Sequence, residues 1–246
     1  MTASNDTEDS FEATYAVPMH CEGCTKDIES CLTSVPGINN LKFDIKQQMM
    51  SVKGTVAPSV IVSALQKCGR DAIIRGAGKP NSAAVSILET FNSISENDTP
   101  VRGLARIVSV SDTKTLFDIT VNGVPTPGKY YASIHECGDI SQGAKTTGKA
   151  WYKFNQPVEC NQKSDLGKDL YSGQAFISTP LQVWELIGRS FVVTTNSEHR
   201  VGVDYDICGV IARSAGVWEN DKQVCACSGK TVWQERKDAM EKNITK

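Results

Sequence analysis

Two pairs of closely spaced cysteines stand near opposite ends of the chain. Cys21 and Cys24 belong to the motif Met-His-Cys-Glu-Gly-Cys, and Cys225 and Cys227 are separated by one alanine. Thiolate sulfur prefers soft metals such as copper(I), zinc and iron-sulfur clusters, and neighbouring thiols can also exchange a disulfide. The spacing therefore indicates either metal binding or thiol redox chemistry.

Length, charge and composition limit the number of domains, the partners and the cellular compartment that can be expected. The 246 residues suffice for two domains, and a net charge of -2 without basic runs gives no footprint for nucleic acid or a membrane surface. No apolar run suits membrane insertion, and residues 1–10, which we expect to be disordered, do not resemble a secretory signal. The nine cysteines, clustered in a protein expected to be cytoplasmic, favour metal or redox chemistry over a disulfide framework. A minor pool in the mitochondrial intermembrane space is left open.

The first cysteine pair falls in a segment, residues 11–76, whose pattern predicts a βαββαβ domain. Apolar residues at helical spacing follow Cys24, and a second helix is predicted to begin at Pro58. Short alternating stretches around the helices predict four strands. This order is that of an α+β ferredoxin-like fold, with two helices on one face of a four-stranded sheet.

The predicted fold places the first cysteine pair at one end of the domain. Cys24 opens a helix, where the helix dipole lowers a thiol pKa, and the loop after the second helix brings Arg70 near as a counter-charge. A zinc site would need two more ligands nearby, and a thioredoxin-like site a different βαβ context. The segment resembles the heavy-metal-associated domain of copper chaperones and copper ATPases, with its Met-X-Cys-X-X-Cys motif. The resemblance implies copper(I) bound by Cys21 and Cys24.

Cys31 and Cys68 fall on the sheet-facing sides of the two predicted helices. They are either two buried thiols or a structural disulfide, which requires Cα atoms within about 7 Å. Antiparallel helices would put Cys68 near the metal end and Cys31 farther along. The sequence leaves both alternatives open.

After a linker at 77–81, residues 82–222 change to many short strands broken by turns, the profile of a β-sandwich or barrel. Several segments resemble copper-zinc superoxide dismutase, and together they span about residues 82–215. These segments are Ser133–Asp139, Asp165–Gly167, Leu186–Ser190 and Cys208–Ile211. The resemblance implies an all-β Greek-key barrel, although a fold alone does not establish an activity.

The metal ligands of the dismutase are largely missing. The resemblance implies a copper site of four histidines and a zinc site of three histidines and an aspartate, but the whole chain has three histidines. The copper-site positions hold Ser133, His135, Ala150 and Thr194, and two zinc-site positions hold Gln162 and Asp165. One imidazole and one carboxylate cannot hold either metal in a redox-competent site. We therefore expect no zinc site in the barrel and no dismutase activity.

Other dismutase features are lost or kept. Tyr205 stands about where the catalytic arginine would be, and Ala144 replaces the disulfide partner of Cys208, which implies a free buried thiol. The segments Leu186–Ser190 and Cys208–Ile211 resemble the apolar dimer interface. They suit docking onto a dismutase subunit as a heterodimer, or a homodimer, since two-fold contacts are self-complementary.

The second cysteine pair lies in residues 223–246, expected to be a short, largely unstructured tail or a short helix. In an extended chain Cys225 and Cys227 project to the same side. The order of heavy-metal-associated domain, dismutase-like domain and Cys-X-Cys tail resembles the copper chaperones for superoxide dismutase, of fungal type. That implies copper(I) acquisition at Cys21 and Cys24, and transfer of copper and a disulfide to the target by Cys225 and Cys227.

Two alternatives remain at this stage. The first is an active superoxide dismutase with a fused copper-loading domain, which superoxide turnover by the barrel would support. The second is a copper buffer or thiol oxidoreductase without a dedicated partner, which failure to bind apo-dismutase would support.

Overall fold

The computed structural model describes residues 10–91, 100–202, 205–220 and 228–241. Nine of the ten residues expected to be disordered at the N-terminus lie outside these ranges, as do Cys225 and Cys227. None of the helices within the described ranges is long and apolar enough to cross a membrane.

The N-terminal domain has the predicted βαββαβ order. Its elements are β1 (Phe11–Ala16), α1 (Glu22–Leu32), β2 (Ile38–Asp44), β3 (Met49–Gly54), α2 (Pro58–Lys67) and β4 (Ile73–Ala77). The strands form an antiparallel sheet in the order β2-β3-β1-β4. Residues four apart on each helix, Ile28 and Leu32 on α1 and Ile61 and Leu65 on α2, are buried in one core with the sheet. The helical spacing in the sequence thus correctly predicted which face packs.

The second domain consists almost entirely of antiparallel strands. Its strands are β5 (Ala83–Thr90), β6 (Val101–Ser111), β7 (Lys114–Val124), β8 (Gly128–His135), β9 (Ser141–Ala144), β10 (Ala150–Lys153), β11 (Val158–Cys160), β12 (Gln162–Lys163), β13 (Tyr171–Thr179), β14 (Ser190–Thr194), β15 (Asp206–Val210) and β16 (Ala212–Arg213). One short helix, α3 (Val183–Leu186), precedes β14. The short strands β9 to β12 were not predicted from the sequence, because a segment of two to four residues is too short to show an alternation of apolar and polar side chains.

The strands of this domain curl into a Greek-key barrel, as the resemblance implied. Their order is β10-β8-β14-β15-β5-β6-β7-β13-β12, so that several neighbours are distant in sequence. β11 pairs with β8 and lies so close to β13 that a Cβ atom at Gly173 would overlap the Glu159 carbonyl. This approach closes the sheet around a core in which the rings of Phe117, Phe154 and Phe191 are in contact.

A buried carboxylate joins the two domains. Asp118, on β7, accepts hydrogen bonds from the Ser59 backbone N–H at 2.8 Å and from the Ser59 hydroxyl at 2.6 Å. Ser59 lies in the first turn of α2, where Ala57 at the N-cap makes no side-chain hydrogen bond. Asp118 thus caps a helix of the other domain, where the helix dipole favours a negative charge. Arg106 lies 3.8 Å from the same carboxylate, and Val108 and Leu116 of the barrel complete the N-terminal core.

A second contact comes from the chain that follows the barrel. The Ala77 N–H donates to the Ala215 carbonyl at 3.2 Å, and the Val217 N–H donates to the Gly78 carbonyl at 2.9 Å. Arg75 donates to the backbone and side-chain oxygens of Asn220 at 3.2 and 3.1 Å. Residues 214–220 are therefore hydrogen-bonded to the linker and to β4, the edge strand of the N-terminal sheet.

The C-terminal region contains a helix, α4 (Val232–Glu241). The sequence left open a largely unstructured tail or a short helix here, and the helix forms at residues 232–241. Arg236 on this helix pairs with Asp71 of the N-terminal domain.

We predict that Asp118→Asn lowers the free energy of unfolding by about 3 kcal/mol, because it removes the buried charge that pairs with the half-buried Arg106. Urea unfolding monitored by tryptophan fluorescence measures the change. Asp112→Asn is the matched control, since Asp112 is exposed, and it should change the free energy by less than about 0.5 kcal/mol. Equal effects of the two substitutions would contradict the role given to Asp118.

Candidate metal centre

The structure brings the first cysteine pair together at the start of α1. Cys21 is the N-cap residue, Cys24 lies in the first turn, and their Sγ atoms are 3.8 Å apart. The Cys24 N–H donates to the Cys21 carbonyl at 3.0 Å, which fixes the turn. Cys21 is exposed and Cys24 is half-buried. Both sulfurs can therefore reach one soft ion that approaches from solvent.

Hydrogen bonds prepare Cys24 to be a thiolate. Its pKa is lowered mainly by the backbone N–H groups of His20 and Cys21, then by the Cys21 side chain, and to a smaller extent by the charge of Arg70. Neighbouring donors stabilise the anion over the neutral thiol. Met19, the first residue of the motif, is fully buried in the domain core and anchors the loop beneath the exposed sulfurs.

Arg70 reaches the metal end because of the way α2 ends. Gly69 adopts a left-handed conformation with φ of +74°, and the Arg70 N–H returns to the Leu65 carbonyl at 2.9 Å. The chain turns back toward α1, where Arg70 Nη2 lies 2.9 Å from Asp27 Oδ2. Arg70 therefore contributes its charge to the cysteine pair, as expected from the sequence.

Cys31 and Cys68 are joined by a disulfide, with Cα atoms 6.2 Å apart. The sequence argument that antiparallel helices would separate them was wrong about this distance. Cys68, at the C-cap of α2, lies beside Cys31 in the last turn of α1, and the chain beyond it returns toward the start of α1, where Arg70 contacts Asp27. The disulfide ties the two helices and is separate from the cysteine pair at the metal end.

His135, the one histidine found at a copper-site position, is buried and hydrogen-bonded through its ring. His135 Nε2 lies 3.0 Å from the Ser133 hydroxyl, while Nδ1 lies 2.8 Å from the Thr147 hydroxyl and 3.0 Å from the Gly148 carbonyl. Burial lowers the pKa of His135, which favours the neutral imidazole. Both ring nitrogens are therefore engaged within the barrel.

The other dismutase metal positions do not supply a set of ligands among the residues that the structure describes. Thr194 is fully buried, Ala150 pairs with His135 across the strands, and Gln162 and Asp165 lie at the exposed surface. Among residues 10–91, 100–202, 205–220 and 228–241, no group of three or more His, Cys, Asp or Glu side chains is arranged to hold a metal ion. Tyr205 packs partly buried against the barrel core.

Cys208 is a free buried thiol that packs against Ala144, the residue found where the dismutase has its disulfide partner. Burial raises the pKa of Cys208 to about 12, and it does the same for Cys160 in the barrel core. Both thiols are therefore chemically inert at neutral pH.

The two segments that resemble a dimer interface meet on one face of the barrel. The Gly188 N–H donates to the Ile211 carbonyl at 3.0 Å, and the Ile211 N–H donates to the Arg189 carbonyl at 2.8 Å. Leu186, Cys208, Gly209 and Ile211 are buried, whereas Val210 is exposed and Ile187 half-buried. Ile187, Gly188, Arg189 and Val210 are thus the residues of these segments that are available to a partner.

A third segment, missed by sequence reasoning, completes this face. A Cβ atom at Gly138 would come within 3.3 Å of Val210 and overlap the Gly188 carbonyl, and the adjacent Cys137 is a free, exposed thiol. The guanidinium of Arg189 stacks 4.3 Å from the ring centroid of Trp151 at the same side. We call the surface formed by Gly138, Ile187, Gly188 and Val210 the barrel face.

A ferredoxin-like domain with an exposed cysteine pair, joined to an antiparallel β-barrel, defines a two-domain protein of the metal-binding class. Residues 14–71 match the family model of the heavy-metal-associated domain. The chain is 63% identical to the superoxide dismutase 1 copper chaperone of Saccharomyces cerevisiae, over 97% of this chain and 99% of that protein. It is 67% identical to the protein of the same name from Candida glabrata, over 99% of this chain and 100% of that one.

More distant relatives extend the match beyond fungi. Identity to the copper chaperone for superoxide dismutase of Mus musculus is 30%, over 90% of this chain and 88% of that protein. The chain belongs to the family of copper chaperones for superoxide dismutase.

We predict that iodoacetamide at neutral pH alkylates Cys24 but leaves Cys160 and Cys208 unmodified in the folded protein. The lowered pKa of Cys24 favours the reactive thiolate, while burial has the opposite effect on the other two. Mass spectrometry of peptides measures the labelling against pH, with the urea-unfolded chain as control. Cys24 in the folded chain should keep reacting at lower pH than in the unfolded chain, and Arg70→Gln should move its profile upward. An identical pH profile in both states would contradict the assignment.

Proposed function

We propose that this protein binds copper(I) through Cys21 and Cys24 and delivers it to apo copper-zinc superoxide dismutase. The observation that carries the proposal is the exposed thiol pair, with sulfurs 3.8 Å apart, on a domain that Asp118 ties to the barrel. Two thiolates suit copper(I), which prefers soft ligands and low coordination. The names of the relatives support the same target.

Copper moves between thiolates by replacement of ligands. A thiolate of the acceptor bonds to copper(I) as a thiolate of the donor leaves, so the metal keeps its oxidation state and no electron is exchanged. Cys225 and Cys227 supply the second thiol pair in this relay. The lowered pKa of Cys24 keeps the departing sulfur a stable anion.

The disulfide step uses the same C-terminal cysteines. A target thiolate attacks a disulfide between Cys225 and Cys227, forms a mixed disulfide and releases one thiolate, and the second target thiolate then completes the exchange. The target loses two electrons and two thiol protons, and the cysteine pair is left reduced. Dioxygen serves as the oxidant that regenerates the disulfide.

The barrel face is the proposed docking surface for the dismutase subunit. It presents apolar side chains, Val210 and Ile187, beside Gly188, where no atom lies within 4 Å of a Cβ position and a partner can approach the backbone closely. A subunit of the same fold can offer an equivalent surface around a two-fold axis, which gives a heterodimer. A homodimer would use the same face and compete with the target.

We propose that the barrel itself carries no zinc site and turns over no superoxide. His135 is the one copper-site histidine kept, and its nitrogens already bond to Ser133, Thr147 and Gly148. The proposed compartment is the cytoplasm, with a smaller pool in the mitochondrial intermembrane space. Clustered thiols, which suit a reducing compartment, support the cytoplasmic assignment.

We predict that replacing Cys225 and Cys227 by serine abolishes activation of the target and leaves its binding intact. Copper(I)-loaded protein is mixed with reduced apo-dismutase, and complex formation and superoxide turnover are followed together. Replacing Cys21 and Cys24 by serine should lower copper retention under limiting copper. Normal activation by the variant without Cys225 and Cys227 would contradict the relay, and turnover by the metal-loaded protein alone would favour the dismutase alternative.

We predict that Val210→Glu weakens binding to apo-dismutase about 100-fold, because it places an unpaired carboxylate in an apolar interface. Analytical ultracentrifugation of the mixture measures the loss. Val60→Glu is the matched control, since Val60 on α2 is exposed to 38% and Val210 to 37%. Equal binding by both variants would contradict the barrel face, and no complex with the unchanged protein would favour a copper buffer.

A further inference from the structure

The C-terminal helix α4 contributes no buried residue, yet it lies against the N-terminal domain. Its start is capped locally, since the Thr231 N–H donates to Gln234 Oε1 at 2.8 Å and the Gln234 N–H returns to the Thr231 hydroxyl at 3.2 Å. A helix of ten residues is marginal in water without tertiary contacts, because nucleation is costly below about 12 residues. An interaction with another part of the protein is therefore needed to hold it.

That interaction is a bidentate ion pair between Arg236 of α4 and Asp71 of the N-terminal domain. Arg236 Nε lies 3.0 Å from Asp71 Oδ2, and Arg236 Nη2 lies 3.1 Å from Asp71 Oδ1. The side chains are exposed to only 15% and 30%, so solvent screens the pair less than a typical surface pair. The planar guanidinium matches both carboxylate oxygens at once, which gives direction as well as attraction.

Asp71 belongs to the loop that also serves the metal end of the N-terminal domain. Cys68 at its start is joined to Cys31 of α1, and Arg70 contacts Asp27 of α1 and lowers the pKa of Cys24. Since α1 carries both Cys24 and Cys31, the disulfide holds this loop to the helix that begins at the cysteine pair. Arg236 therefore anchors α4 one residue away from the cation that faces the pair.

We propose that Arg236 is a positioning residue, which by pairing with Asp71 docks the C-terminal helix on the copper-acquiring domain. Ser228, the first described residue after Cys227, is held to this helix by a hydrogen bond of 2.6 Å to Glu235. Both thiol pairs belong to one chain, so docking acts by shortening the length of chain that must close when they meet, which raises their effective concentration. The inference rests on the proposed function, since it concerns how copper passes from one thiol pair to the other.

The docking itself is tested in the full chain by Arg236→Gln and Asp71→Asn, singly and together. Hydrogen exchange over residues 228–241 should quicken about tenfold in each single variant, the upper range for a directed ion pair. The double variant should exchange no faster than either single one, because both remove the same interaction. Lys237→Gln is the matched control, since it removes the same charge from the same helix and Lys237 is largely exposed. Unchanged exchange in the single variants, or additive effects, would overturn the proposal.

The consequence for delivery is measured with one equivalent of copper(I) and reduced apo-dismutase. Arg236→Gln and Asp71→Asn should slow activation severalfold and leave complex formation and copper binding unchanged, whereas Lys237→Gln should behave as the unchanged protein. Activation that is equally fast or faster in the undocked variants would overturn the positioning role. The variant with serine at 225 and 227 distinguishes the relay of the proposed function from the positioning role of Arg236. Normal activation of the dismutase by this variant would refute the relay. If this variant fails to activate the dismutase while Arg236→Gln activates it normally, only the positioning role is refuted.

Discussion

The position of the thiol pair, Cys21 and Cys24, relative to the barrel depends on a carboxylate buried between the domains. Asp118 accepts two hydrogen bonds from Ser59 at the start of α2 and faces Arg106 on the neighbouring strand. Burial alone raises the pKa of Asp118, and these partners oppose that effect. A charged group that would be costly to bury in isolation thus becomes a directional contact, because a helix N-terminus needs hydrogen-bond acceptors. The thiol pair and the barrel face are held within one structural unit.

In the barrel, positions that correspond to a dismutase copper site belong to the packed interior. Hydroxyl groups of Ser133 and Thr147 bond the ring of His135, and burial lowers the pKa of this imidazole, which favours its neutral form. Ala144 fills the space beside Cys208, and the thiol remains unpaired. Of the positions that the resemblance assigns to the copper site, Ser133, His135 and Thr194 are thus buried in the barrel. Val210 lies exposed on the barrel face, against Gly138.

The N-terminal domain prepares its thiol pair by backbone geometry more than by charge. The N–H groups of His20 and Cys21 lower the pKa of Cys24, and Arg70 adds a smaller effect. The loop that carries Arg70 is held by the Cys31–Cys68 disulfide on one side and by the contact of Asp71 with Arg236 on the other. The disulfide, the contact of Arg70 with α1 and the contact with the C-terminal helix therefore fall in four consecutive residues, 68–71.

Local sequence patterns by themselves determined the first domain and its thiol pair. Helical spacing predicted the faces of α1 and α2, and the cysteine motif before α1 needed no distant partner. Resemblance predicted the barrel and the loss of its ligands. Tertiary structure alone decided the cap of α2 by Asp118, the pairing of Cys31 with Cys68, and the contact of α4 with Asp71. These contacts join residues 59, 37 and 165 positions apart, so they depend on how whole elements pack, which no local periodicity encodes.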